Sequence, residues 1–66
     1  MKSQTDNLLS YLHLYGSVTP LEALRDLGCM RLAARVRELR QRGHVIETNT
    51  VKADNGKRYA EYQLVA

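Results

Sequence analysis

The segment from Arg31 to Arg42 combines a helical apolar stripe with all of the chain's excess positive charge. Leu32, Val36 and Leu39 recur at helical spacing, which predicts an amphipathic helix with one buried face. Around that stripe the segment holds five arginines and a single acid, Glu38, for a net charge of +4. Because the whole chain has a net charge of +3, the remainder is slightly acidic, and the excess belongs to this one element.

A compact basic helix with a buried face is suited to a polyanion such as duplex DNA, which carries about one negative charge per 1.7 Å of axis. The alternative is a solvated amphipathic helix, because a run of charge alone discriminates poorly between functions. The sequences of the neighbouring segments are needed to distinguish these two interpretations.

Composition predicts one small folded domain over residues 1–66, since 44% of the residues are hydrophobic and 26% are charged. Cys29 is the only cysteine, so neither a disulfide nor a zinc site is predicted, and it is expected to be a small apolar filler in the turn. His13 and His44 do not combine with it into a nucleophile, base and orienting acid, and we expect neither an enzyme nor a cofactor. No apolar run could span a bilayer and no signal peptide is evident, which predicts a cytoplasmic protein.

Three helices are predicted, at about residues 5–15, 20–27 and 30–42. Ser3 or Thr5 can cap the first, whose apolar positions are Leu8, Leu9, Leu12 and Tyr15. The run Thr19-Pro20-Leu21-Glu22 matches a capping box with proline at the first helical position, and Leu21, Leu24 and Leu27 should form the buried side of the second helix. Gly28 ends it, and a tight connection leads into the arginine-rich helix. Two short helices joined in this way are typical of a helix-turn-helix, whose second helix enters the DNA groove.

The C-terminal third, about residues 45–65, is predicted to form a β-hairpin. A run rich in β-branched residues and a run that alternates apolar and polar residues lie on either side of a turn at Asp54-Asn55-Gly56. A two-residue turn would mix apolar and charged side chains on one face. A three-residue loop with Gly56 left-handed instead pairs Ala53 with Lys57, and it leaves one face able to cover the helices. The further pairs in that register are Ile46 with Leu64, Thr48 with Tyr62, and Thr50 with Ala60.

In these features the sequence resembles the small winged helix-turn-helix proteins of bacteria, phages and prophages. The resemblance covers about residues 8–64 and is carried by the segment from Gly28 to Val36, followed by Glu38, Leu39, Arg40 and Gly43. It implies an α+β fold in which three helices are followed by a C-terminal β-hairpin wing. It also implies sequence-specific binding of double-stranded DNA by a phage-type transcriptional regulator or a recombination accessory factor, associated with the nucleoid.

Angular positions on the third helix suggest which side chains meet DNA, since successive residues advance by about 100°. One side, away from the buried stripe, is expected to present Arg31 and Arg35 to base edges, with Ala34 allowing close approach. Glu38 either accepts from a cytosine or holds Arg35 and Arg42, and we favour the second role. Arg37, Arg40 and Gln41 should lie on the opposite flank, nearer the first helix or solvent. The candidate DNA-binding residues are Arg31, Ala34, Arg35, Glu38 and Arg42 on the helix, and Lys52, Asn55, Lys57 and Arg58 around the hairpin tip.

Two other possibilities remain open at the level of sequence. The winged scaffold can dock on another protein instead of DNA, and net charge does not separate these functions. A single recognition helix reads only a few base pairs, so useful specificity would require a homodimer or a protein partner. Exposed parts of the first helix around Tyr11 and Leu14, or the hairpin edge, are candidate surfaces for self-association.

Overall fold

The computed structural model describes residues 3–65, which form three helices and a three-stranded antiparallel sheet. This is the α+β winged-helix arrangement that the sequence predicts. In chain order the elements are α1 (Gln4–Tyr15), β1 (Ser17–Val18), α2 (Pro20–Leu27), α3 (Leu32–Gln41), β2 (Ile46–Lys52) and β3 (Arg58–Leu64).

Helix α1 begins one residue earlier than predicted because Ser3, of the two possible caps, takes that position. Its hydroxyl accepts a hydrogen bond from the Asp6 amide, and the Asp6 carboxylate accepts from the Ser3 amide in return. The helix ends at Gly16, which has the left-handed φ of 85°. Tyr15 lies largely in solvent, contrary to its expected place on the apolar side, and its ring rests against Tyr11 with centroids 4.5 Å apart.

The predicted capping box of α2 is present, but the predicted buried side is wrong for Leu21 and Leu24. Leu27 is half-buried and packs against the core as predicted. Thr19 and Glu22 exchange the two capping hydrogen bonds, at 3.2 and 2.9 Å. Ala23 is the residue that α2 buries, whereas Leu21 is 72% exposed and Leu24 is 49% exposed. A small side chain at the contact lets two helices approach closely, and the larger leucines are left on the outer surface.

Replacing Thr19 with alanine is expected to lower the free energy of unfolding by about 1 kcal/mol, because the Glu22 amide loses its acceptor at the start of a helix of only eight residues. Urea denaturation monitored by circular dichroism measures the change in the free energy of unfolding. The control is Ser10→Ala, which alters an exposed serine inside α1 and should cost nothing. Equal losses in the two variants would contradict a capping role for Thr19.

Helix α3 begins at Leu32 and not near Met30, because the preceding residues are used in ending α2. The Gly28 amide donates to the Leu24 carbonyl, and the Cys29 amide donates to the Ala23 carbonyl. Arg31 then takes the N-cap position with a non-helical backbone, at φ −122° and ψ 59°, and its side chain makes no capping hydrogen bond. The connection between the helices is therefore longer than the sequence suggests, and Arg31 lies just outside α3.

The hairpin register is confirmed at every predicted pair within the strands. Ile46 faces Leu64, Thr48 faces Tyr62, and Thr50 faces Ala60. The three-residue loop is closed by the Ala53 amide, which donates to the Lys57 carbonyl at 2.8 Å, and Gly56 is left-handed at φ 82°.

One strand was not anticipated from the sequence. The link before α2 forms β1, which pairs with β3 and gives the strand order β1-β3-β2. The hairpin is thereby joined to the helices along its β3 edge, while β2 forms the outer edge.

A single small core lies between the helices and the inner face of the sheet. Helices α1 and α3 supply most of it, and four other parts of the chain contribute one residue each: β1, α2, the turn after α2, and β2. The buried apolar residues are Leu8, Leu12, Val18, Ala23, Cys29, Leu32, Val36, Leu39 and Ile46. The apolar stripe predicted for the arginine-rich helix, Leu32, Val36 and Leu39, is buried as expected.

Candidate nucleic-acid interface

One flank of α3 is bonded to the start of α1. Thr5, which is buried in α1, donates its hydroxyl hydrogen to the Glu38 carboxylate. Glu38 also pairs with Arg35, with 2.9 Å between the guanidinium Nη2 and the carboxylate Oε1. Glu38 therefore has the intramolecular contact with Arg35 that we favoured, but its other partner is Thr5 and not Arg42.

Arg35 is less available than its predicted place on the helix implies. It lies on the α1 side of α3, directly beside the buried stripe, and its side chain is 29% exposed. Its Nε atom is buried without a hydrogen-bond partner. To reach a base edge, this arginine would have to leave Glu38 and turn outward.

Arg42 is paired on the same flank. Its Nη1 atom lies 2.9 Å from the Asp6 carboxylate, which is the same carboxylate that caps α1. The hydrogen bond from Arg42, followed by those from Ser3, lowers the pKa of Asp6 below its ordinary value. Any stability that Asp6 confers through these bonds is present above the unfolded pKa and is lost as the pH falls through the lower folded pKa.

Replacing Arg42 with alanine is expected to raise the pKa of Asp6, because the largest cause of its depression is removed. An NMR titration of the carboxyl carbons measures this directly. Asp26 is the internal control, since its pKa is lowered mainly by Arg25 on α2 and should not move. An unchanged Asp6 titration would mean that Arg42 is not held by α1 in solution.

Arg40 connects the opposite flank of α3 to the wing. Its Nε and Nη2 atoms donate to the Ile46 carbonyl at 3.1 and 2.7 Å, and Nη2 also donates to the Thr48 hydroxyl at 2.9 Å. This flank was expected nearer the first helix or solvent, but it is β2 that lies beside it. The bidentate contact fixes the base of the hairpin relative to α3.

The outward face of α3, defined here as Ala33, Arg37 and Gln41, lies between these two flanks and is exposed along its length. Ala34, half-buried, borders it. Within residues 3–65, Arg37 takes part in no ion pair or side-chain hydrogen bond. The sequence analysis places Arg37 on the flank nearer the first helix or solvent and not among the candidate DNA-binding residues, although its four-residue spacing from Ala33 and Gln41 was a signal that could have identified this face.

The remaining candidate residues lie at one end of the hairpin, in the segment 52–58 that we call the wing tip. Lys52 and Arg58 face each other on the last strand pair, and Lys57 precedes Arg58 in the loop. The Asn55 side chain accepts a hydrogen bond from the Lys57 amide at 3.0 Å, so it shapes the loop. All four residues are exposed, and three of them are cationic.

Two further properties concern the part of the chain that the structure describes. No three His, Cys, Asp or Glu residues within 3–65 are grouped so that they could hold a metal ion. None of the three described helices is both long and apolar enough to cross a membrane.

Comparison with known proteins agrees with this geometry. A family model described as a winged helix-turn-helix domain matches residues 3–66, nearly the whole chain. No curated protein and no solved structure matches the chain. The three helices, the C-terminal hairpin and this match together show that the chain belongs to the winged helix-turn-helix domain family.

Proposed function

We propose that this protein binds double-stranded DNA in a sequence-specific manner, with α3 in the major groove and the wing tip on the backbone or in the minor groove. The observation that carries the proposal is the uncovered outward face of α3, which Arg40 holds in a fixed relation to a hairpin with a basic tip. A recognition helix and a wing on one rigid frame can contact a groove and the adjoining phosphates together.

The candidate residues divide by how freely they could reach DNA. Arg31 is exposed at the N-terminal end of α3, where recognition helices contact base edges, and Ala34 leaves room beside it. Arg35 and Arg42 could contact DNA only by exchanging Glu38 or Asp6 for a phosphate or a base. While the Glu38 pair is intact, Arg35 is held on the α1 side of α3 and does not contact DNA.

The resemblance to small winged helix-turn-helix proteins of bacteria and phages favours a role as a phage-type transcriptional regulator or a recombination accessory factor acting on the cytoplasmic nucleoid. Either role requires more contact with DNA than one recognition helix supplies. Leu14 and Tyr15, at the end of α1, are 73% and 64% exposed and offer an apolar surface for a second copy. Self-association through α1 would bring a second recognition helix into the complex.

Fluorescence anisotropy tests the proposal, with the purified protein titrated into labelled random and native-locus duplexes over a series of salt concentrations. We expect binding that weakens steeply with salt and that favours some duplexes over others. Absence of binding even at low salt would refute DNA binding.

A protein-interaction module is the second candidate function, and exposed apolar side chains favour it. Leu21, Leu24 and Met30 lie close together along α2 and the following turn, and Met30 is 86% exposed. A contiguous apolar patch on a small domain is typical of a docking surface. For this candidate we expect Leu21→Ser to abolish capture of the partner and to leave any DNA affinity unchanged.

A further inference from the structure

The arginines of the basic segment do not share one task, and their contacts separate them. Arg35 and Arg42 are held by acidic side chains on or facing α1, and Arg40 is held by β2. Arg31 precedes the first turn of α3 and has a non-helical backbone. This leaves Arg37 as the arginine that lies inside α3, is exposed, and is bonded to no other described residue.

Helical geometry also places Arg37 farther from the core than the other arginines of α3. At 100° per residue, it lies roughly 130° around the helix from the centre of the buried stripe, whereas Arg35 lies only about 65° away. One turn before Arg37 is Ala33 and one turn after it is Gln41, both exposed. Because Ala33 and Ala34 are small, the helix backbone can approach a groove closely on this side, with Arg37 projecting at its centre.

We infer that Arg37 is a specificity-determining residue that reads a guanine in the major groove. The inference rests on the proposed function and replaces Arg35 with Arg37 as the base-reading arginine within the helix. A guanidinium not engaged by an acid can donate two parallel hydrogen bonds to the O6 and N7 acceptors of guanine. A good bidentate contact of this kind discriminates against a wrong base by roughly 5- to 150-fold.

The test begins with a pool of duplexes randomised over 20 base pairs, from which the wild-type protein selects its preferred sequences. Each guanine in a selected duplex is then replaced, one at a time, by 7-deazaguanine, which has a C–H in place of the N7 acceptor. We expect one position at which the replacement weakens wild-type binding severalfold and leaves Arg37→Ala unaffected. At that position Arg37→Ala should also bind all four base pairs with similar affinity.

Two variants separate base reading from charge and from folding. Arg37→Lys keeps the positive charge but not the paired donors, so the salt dependence should remain while the guanine preference is lost. Arg25→Ala removes an arginine from α2 and should leave the preference unchanged. Since Arg37 is exposed and makes no described ion pair, thermal melting should show both Arg37 variants folded as stably as the wild type. Arg25→Ala should also fold, because it loses only an exposed ion pair with Asp26.

The possible outcomes distinguish this inference from the proposed function. Failure of the wild type to bind any duplex would refute DNA binding itself. Binding without sequence preference, or a guanine preference that survives in Arg37→Ala, would overturn the role of Arg37 alone. Loss of the preference in Arg35→Ala but not in Arg37→Ala would return the reading role to Arg35.

Discussion

Replacing Leu39 with alanine is expected to lower the free energy of unfolding by about 2–5 kcal/mol. Leu39 lies in α3 and is fully buried in the core, so the truncation leaves a cavity that the surrounding helices fill only in part. A domain of this length has a total stability of roughly 3–10 kcal/mol. The loss is therefore a large share of the total, and at the lower end of that range the variant would be partly unfolded at ordinary temperature.

Leu21→Ala is the matched control, because it makes the same chemical change at a leucine that is 72% exposed. Urea denaturation of both variants should show a large loss for Leu39 and a change within about 0.5 kcal/mol for Leu21. Similar losses at the two positions would mean that α2 packs with Leu21 inward, as the sequence pattern alone suggested.

The hairpin could be predicted in detail because two independent constraints agree on one register. The turn residues allow only a few loop lengths, and each change of register by one residue moves every side chain to the other face. Only the three-residue loop places Ile46 opposite Leu64 with both side chains toward the helices. Local sequence therefore determined a long-range feature in this case, and the structure has the same pairs.

The orientation of α2 could not be predicted, because its sequence offers more than one apolar side. Leu21, Leu24 and Leu27 are spaced as a buried stripe should be, but helical periodicity says nothing about how closely the neighbouring elements approach. Ala23 is the residue of α2 that is buried in the core, and the larger Leu21 and Leu24 are exposed. Strand β1 was missed for a related reason, since two residues are too few to show any period.

The candidate site could be predicted only in part, because helical geometry does not determine tertiary contacts. The buried stripe of α3 was correctly identified, yet the side on which α1 lies depends on how the three helices pack. Asp6 contacts Arg42 and Thr5 contacts Glu38, but these partners are distant in sequence, and no local pattern predicts the contacts. The wing residues were easier to locate, because the hairpin register alone places them at its tip.

Replacing both Lys57 and Arg58 with alanine is expected to weaken DNA binding equally for all sequences. Two lost phosphate contacts lower the slope of log affinity against log salt by about two, which corresponds to roughly 60-fold in affinity at 0.1 M salt. Both side chains are exposed and make no described ion pair, so folding should be unaffected. Anisotropy titrations at several salt concentrations, on two duplexes of different sequence, measure the slope and the ratio of affinities.

The charge-conserving pair Lys57→Arg and Arg58→Lys is the control for this prediction, and it should keep the wild-type slope. The ratio of affinities for the two duplexes should stay constant in both double variants, since phosphates carry no sequence information. An unchanged slope in the double alanine variant would remove the wing tip from the interface. Binding would then depend on α3 alone, and Arg40, which joins α3 to β2, would serve stability without positioning a second DNA contact.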